Sequence, residues 1–260
     1  MPKVSLIIST YNWPKALSLC LQSVMRQSRM PDEIIVADDG SRDDTRELVE
    51  RFAATSPVPL RHVWHEDDGF RLTVIRNKAM AVAEGDYLIQ IDGDLLLHRD
   101  FVKEHVARAE RGFYLVGSRV ILSKELSQDI LDRGVSCKLF FWSRGLRNRL
   151  NSLHFRPLSM LLKTKRVLAR GCNMSFWRDD IVAVNGYNEQ MKGWGSEDAE
   201  MAIRLYNRGL QARPLKFAGI AYHLYHSEAK RDSASQNFAI QQQTEREHSA
   251  RCELGISQYL

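Results

Sequence analysis

Residues 4–9 form a continuous β-rich, mostly apolar run, residues 34–37 are apolar throughout, and residues 60–64 and 87–91 are further runs of strand length, with segments of helical period between them. A short run that is apolar at every position fits a strand covered on both faces. After the first run Pro14 suits an opening helical turn, and Ala16, Leu17, Cys20, Leu21, Val24 and Met25 follow at helical spacing. Residues 44–54 and 73–84 read as the next two helices. This alternation predicts an α/β fold of right-handed βαβ units on a mostly parallel, Rossmann-like sheet flanked by helices. Ligands on such sheets sit outside the carboxyl ends of the strands. Two acidic turns, Asp38-Asp39-Gly40-Ser41 and Asp92-Gly93-Asp94, fall at those ends.

Residues 113–120 and 171–177 read as further strands, and residues 197–207 as a helix. The polar chain beyond Ser227 reads as one terminal helix with a frayed end. Charge is unevenly spread. The 260 residues carry 37 Lys+Arg against 32 Asp+Glu, a formal net charge of +5. Eleven of the basic residues and no acid lie in the 46 residues between Asp132 and Asp179, leaving 26 basic against 32 acidic residues, net −6, elsewhere. Within that stretch Leu139, Trp142, Leu146, Leu150 and Leu153 recur at helical spacing, with Arg144, Arg147 and Arg149 mostly off the stripe. The pattern predicts a basic helical insert. It would either dock residues 133–178 on an inner-leaflet membrane surface or pack its stripe on the protein body.

Hydrophobic residues at 44% and charged residues at 27% exclude a disordered or fibrous chain. No run approaches a membrane span. The first residues enter a strand without an apolar leader segment, and Cys20, Cys137, Cys172 and Cys252 form no metal-binding pair. The reading is a cytoplasmic enzyme, peripheral at most on the inner membrane face.

Asp92 and Asp94 flank Gly93 directly after an apolar strand. Carboxylates at i and i+2 with a permissive glycine between them can turn toward one hard cation, Mg²⁺ or Mn²⁺, that keeps positions open for phosphate oxygens. The alternative is an acidic surface turn.

The strings VSLIISTYNWPKALSLCLQSVMRQS and EIIVADDGSRDDT, followed by DGD, resemble the nucleotide-binding half of family 2 glycosyltransferases, which have the glycosyltransferase A-type fold. GYNEQMKGWGSEDAEMAIRLYNRG resembles the GWGxED acceptor-side motif of bacterial chondroitin-type polymerases and animal β-1,4-galactosyltransferases. The likeness implies residues 1–118 as a nucleotide-sugar-binding half, 119–170 as the basic insert, 171–228 as the acceptor-side half and 229–260 as a helical tail. Residue by residue, it places Ser9 and Tyr11 at the base and ribose, Asp39 at the uracil N3–H and Arg76 at the nucleotide. Asp92 would lie near ribose, donor sugar and metal, and Asp94 would ligate the metal directly. Without the likeness, Ser9 and Tyr11 read as strand-end packing, Asp39 as turn chemistry and Arg76 as a surface helix charge.

Gly193, Trp194 and Gly195 set an indole between two flexible backbone points, suited to the apolar face of a sugar ring. Glu197 and Asp198 open the following helix, where their charge complements the helix N-terminus. Alternatively Ser196 caps that helix and the acids only feed its dipole. Consecutive helical residues diverge by about 100°, so the two carboxylates take different tasks. The likeness makes Asp198 the general base and has Glu197 orient a sugar. It departs at Ser196 and Ala199, where the animal enzymes have Gly and Asp. That departure bears on the acceptor and leaves the base. His223 and His226, three apart, face opposite ways in a continuous strand and share a metal only if the chain turns. The likeness makes His226, and with it His223, a ligand beside Asp94, which favours Mn²⁺ over Mg²⁺.

The expectation is an inverting, metal-dependent transfer of a hexose or N-acetylhexosamine from a UDP-sugar to a glycan or glycolipid acceptor of the bacterial surface, such as lipopolysaccharide or capsule. No nucleic acid partner is expected. Two other classes were weighed. A sugar-phosphate nucleotidyltransferase needs a Gly-rich basic loop that residues 9–15 lack. A non-catalytic basic module leaves DGD, GWGSED and HLYH without a task.

Overall fold

The computed structural model describes residues 1–134, 139, 141–160, 162, 164, 167, 169–227 and 233–260. The first half runs β1 (Val4–Thr10), α1 (Pro14–Val24), β2 (Glu33–Asp38), α2 (Asp43–Thr55), β3 (Leu60–Trp64), α3 (Leu72–Ala81) and β4 (Tyr87–Asp92). The second half begins β5 (Leu95–Leu97), α4 (Phe101–Ala107), β6 (Phe113–Gly117), β7 (Arg119–Leu122), α5 (Lys124–Arg133), β8 (Leu146–Arg147) and α6 (Arg156–Met160). It closes with β9 (Asn173–Trp177), α7 (Arg178–Ala183), α8 (Glu197–Asn207), β10 (Gln211–Leu215), β11 (Ala221–His223) and α9 (Ala234–Arg246).

Seven strands form the main sheet in the order β10-β6-β9-β4-β1-β2-β3, with only β9 antiparallel to its neighbours. The central strands are apolar on both faces because both faces are covered. Ile7, Ile35 and Leu88 pack with Ile75 and Met80 of α3 and Met201 and Leu205 of α8. Their neighbours Leu6, Ile8, Ile34 and Ile89 pack with Leu17 and Leu21 of α1 and Phe101 of α4. Pro14 holds the first turn of α1, where its missing N–H costs nothing.

A second sheet, β5-β11-β7-β8, lies beside α1. One of its faces buries Leu96, Val120, Leu122, Leu146 and Tyr222 against Ala16 and Leu19. The expected single strand over residues 113–120 is thus two, one in each sheet. The break is held by the Asn173 carboxamide, which donates to Ser118 O at 3.0 Å and Gly219 O at 3.2 Å and lies where a Cβ on residue 117 would be.

The expected amphipathic helix in the basic stretch is absent among the described residues. Gly145 (φ 80°) and Asn148 (φ 53°) are left-handed, so a continuous right-handed helix cannot pass through them. The chain instead makes β8, a 3₁₀ turn at Arg149–Ser152 and the short α6. Its apolar residues divide: Leu146 is buried, whereas Trp142 is 75% exposed. Lys138, Lys163, Lys165 and Arg166 lie outside the described residues.

The tail also differs from expectation. Beyond α9 the chain returns to the core, with Ile256 fully buried and Asn185 bonded to Cys252 O at 2.9 Å and to Ser257 N at 2.9 Å.

Candidate active site

The carboxyl ends of β1 and β4 converge on Arg76. This α3 side chain is 1% exposed, so it is not a surface helix charge. Its Nε donates to Ser9 Oγ at 3.2 Å and its Nη2 to Asp92 Oδ1 at 3.0 Å, and Nη1 lies 3.6 Å from Glu197 Oε1. Gly171 allows this approach, since a Cβ there would sit 3.0 Å from Nη1. Burial works against the guanidinium charge, but Tyr187, Asp92, Glu197 and Asp198 hold its pKa above the ordinary value. Burial raises the Asp92 carboxyl; Arg76 pulls it down and Asp94 adds to the rise.

Gly93 earns its place by closeness to β1. Its N–H donates to Ser9 O at 2.7 Å, and a Cβ would lie 3.0 Å from that oxygen. Asp94 then lies at the end of β11: Leu224 N–H donates to Asp94 O at 3.0 Å, one residue past the His223–Leu95 pair, and the strand ends at His223. Past that strand end both imidazoles reach one carboxylate, His223 Nε2 at 3.3 Å and His226 Nε2 at 3.2 Å from Asp94 Oδ2. One potential ligand atom from each of the three residues falls within a 4.8 Å cluster.

The donor set fits a divalent metal. Asp94 Oδ1 is buried without a hydrogen-bond partner, and His226 Nδ1 meets Ser227 O at 2.7 Å, which leaves Nε2 its lone pair. The Asp94 hydrogen bond raises the His226 pKa, whereas burial lowers that of His223. Asp92 is not in this cluster and faces Arg76 instead.

A second group, His98, Glu104 and His154, has similar spacing. Its carboxylate is already occupied by Gly219 N–H at 2.5 Å, by His154 Nε2 and by Arg156 Nε at 3.5 Å. That group ties the basic stretch to α4.

Just past the end of β2, Asp39 accepts from His65 Nε2 at 2.8 Å and Arg71 N–H at 3.0 Å, each oxygen keeping a further lone pair. Burial pushes its carboxyl up to about 7 and pushes His65 down to about 4. Tyr11, half exposed, donates to Asp67 at 2.9 Å. Sequence reasoning missed His65, Arg71 and Asp67. The run HEDDGFR directly after β3 was the available signal.

The GWGS loop holds Gly193 (φ 71°), Gly195 (φ 114°) and Ser196 (φ 67°) in left-handed conformations. Ser196 makes no side-chain cap, so capping does not explain the loop. A non-glycine residue held there stores strain of order 1 kcal/mol, which is common where a loop positions functional groups. Trp194 is 41% exposed. The acids that follow diverge as helical geometry requires. Glu197 faces Arg76, while Asp198 Oδ2 accepts from Gly171 N–H at 2.8 Å and Oδ1 from Ala199 N–H at 2.8 Å. Burial and then Asp198 raise the Glu197 carboxyl, against the pull of Arg76.

The architecture is an α/β fold of the glycosyltransferase A type. The chain matches glycosyl transferase family 2 over residues 5–176 and belongs to that family. Residues 162–227 also match the N-terminal domain of galactosyltransferase. Chondroitin synthase of Escherichia coli is 26% identical over 239 residues, 85% of this chain. The chain spans 34% of that relative's length. Two solved structures share the fold. GalNAc-T7 with UDP, GalNAc and Mn²⁺ superposes with a TM-score of 0.67 at 17% identity, covering 92% of this chain and 47% of that one. The mannosyltransferase PcManGT from Pyrobaculum calidifontis in complex with GDP-Man and Mn²⁺ gives 0.59 at 21% identity, covering 89% of this chain and 59% of that one. No helix among the described residues is long and apolar enough to cross a membrane.

Proposed function

We propose that this chain is an inverting, metal-dependent transferase that moves a hexose or N-acetylhexosamine from a UDP-sugar to a hydroxyl of a bacterial surface glycan. The observation that carries the reading is the convergence of Asp94, His223 and His226 beside the Asp92–Arg76–Glu197 chain. UDP and Mn²⁺ in GalNAc-T7, and Mn²⁺ in the mannosyltransferase, support the donor and metal. The galactosyltransferase match over GWGSED and the chondroitin synthase likeness support a sugar acceptor.

Asp94, His223 and His226 would hold Mn²⁺, which when bound neutralises charge developing on the diphosphate. Asp39 accepts the uracil N3–H, with Ser9 and Tyr11 beside the base and ribose. Arg76 fixes Asp92 on the donor side and Glu197 on the acceptor side relative to each other. Trp194 offers its indole to a sugar face. Asp198, held by Gly171 N–H, takes the acceptor hydroxyl proton as that oxygen bonds to the anomeric carbon and the bond to the diphosphate breaks. One displacement with one base inverts the anomeric centre. The test is UDP release and product analysis across UDP-sugars with Mn²⁺. Turnover with an inverted linkage supports the reading; turnover only with other nucleotide sugars, or with retention, overturns it.

The acceptor would be presented at the cytoplasmic face of the inner membrane. Trp142, Leu150 and Phe155 are exposed, and Arg144, Arg149 and Arg156, close to them in sequence, are exposed as well, a mixture of apolar and basic side chains suited to anionic lipid headgroups. Co-sedimentation with anionic vesicles that weakens with salt supports this docking; the absence of binding contradicts it.

A further inference from the structure

Arg119 opens β7 in register with Ala221 of β11, so it shares a sheet face with His223, two residues along. Its Nη1 meets Cys172, which precedes Asn173, the partner of Ile91 in the β9–β4 register, so the guanidinium reaches the strand end that carries Asp92, and its charge bears on His223 and His226 as well. Among the described residues no carboxylate lies within ion-pair distance of it. Its side-chain contact is Nη1 to Cys172 Sγ at 3.6 Å, and burial first, then Asp92, push that thiol up to about 12, so it stays a neutral, weak acceptor. A half-buried guanidinium has five N–H donors to satisfy. Beside a site built for a divalent cation, its charge is also repelled unless an anion lies between them. Phosphate oxygens meet both requirements, since they accept the planar guanidinium fork and bind the metal together.

We propose that Arg119 binds the outer phosphate of the nucleoside diphosphate, on the metal side and away from the Asp39 base pocket. The inference rests on the proposed UDP-sugar reading. It makes Arg119 a binding residue that also stabilises the departing diphosphate, a task the sequence motifs leave to the metal alone.

Calorimetry with UDP and with UMP, in Mn²⁺, on wild type, Arg119→Met and Arg119→Lys tests it. Arg119→Met is expected to weaken UDP about 30-fold, the size of one charge-assisted hydrogen bond, while UMP affinity holds and so reports an intact fold. Arg119→Lys should recover part of the loss. Equal losses for UDP and UMP, or no loss for either, overturn the proposal and leave Arg119 as packing for Cys172. Failure of the wild type itself to bind UDP overturns the donor reading and this inference with it, whereas a wild-type binder with an unaffected variant overturns only the inference.

Discussion

Arg76 Nη2 lies 3.0 Å from Asp92 Oδ1, and that contact joins a helix to the end of the strand that opens the DGD turn. The same guanidinium reaches Glu197 in the GWGSED segment, so one buried cation links the two motifs. Removing it leaves two largely buried carboxylates without a partner. Arg76→Met should therefore cost about 3 kcal/mol of stability, read by urea denaturation, and should lower turnover as well. A change within error in both would contradict the role.

Asp198 receives its hydrogen bonds from backbone N–H groups that substitution leaves in place. Asp198→Asn keeps the shape and one acceptor oxygen and loses one of the two bonds, so at a cost of about 1 kcal/mol it should keep the fold and UDP affinity while lowering kcat about 100- to 10,000-fold. A raised KM with unchanged kcat would assign Asp198 to binding instead.

The Asp94 hydrogen bond raises the His226 pKa above its ordinary value. An imidazolium has no lone pair for a metal, so Mn²⁺ competes with a proton there. Mn²⁺ affinity should fall as pH is lowered through the imidazole range, measured by electron spin resonance of free Mn²⁺. His226→Ala should bind Mn²⁺ weakly with a flatter pH profile, and a flat wild-type profile would contradict the ligand assignment.

Asp39 titrates at about 7 because it is buried. Below that pH its carboxyl carries a proton and loses acceptor capacity for the uracil N3–H. UMP affinity in EDTA, which takes the metal out of the measurement, should fall as pH drops from 8 to 6. The N3-methylated nucleotide should bind weakly across the range. UMP affinity independent of pH would place the base elsewhere.

The elements through β4, and α8, were legible because β1, β2 and β4 are buried and mostly apolar, Leu60, Val63 and Trp64 mark the half-buried edge strand β3, and Pro14 marks a helix start. β5, β7 and β11 were not, since strands this short are specified by partners distant in sequence: His223 lies opposite Leu95 and Ile121. The DGD turn and both acids of α8 were visible as motifs. The buried position of Arg76 was not, because a charge within an apolar helix face reads as exposed until its partners are known. The two histidines could reach one carboxylate only where the continuous strand ended between them, and β11 ends at His223. The helix expected in the basic stretch fails for a reason present in the sequence: Gly145 stands within the apolar stripe and takes a left-handed conformation.

The central claim is that Asp94 anchors a metal that the donor nucleotide needs. UDP binding by calorimetry, with Mn²⁺ and with EDTA, on wild type and Asp94→Ala, tests it most directly. The account predicts tight binding by wild type in Mn²⁺, and weak binding both in EDTA and in the variant. Binding indifferent to metal and to Asp94 would contradict it.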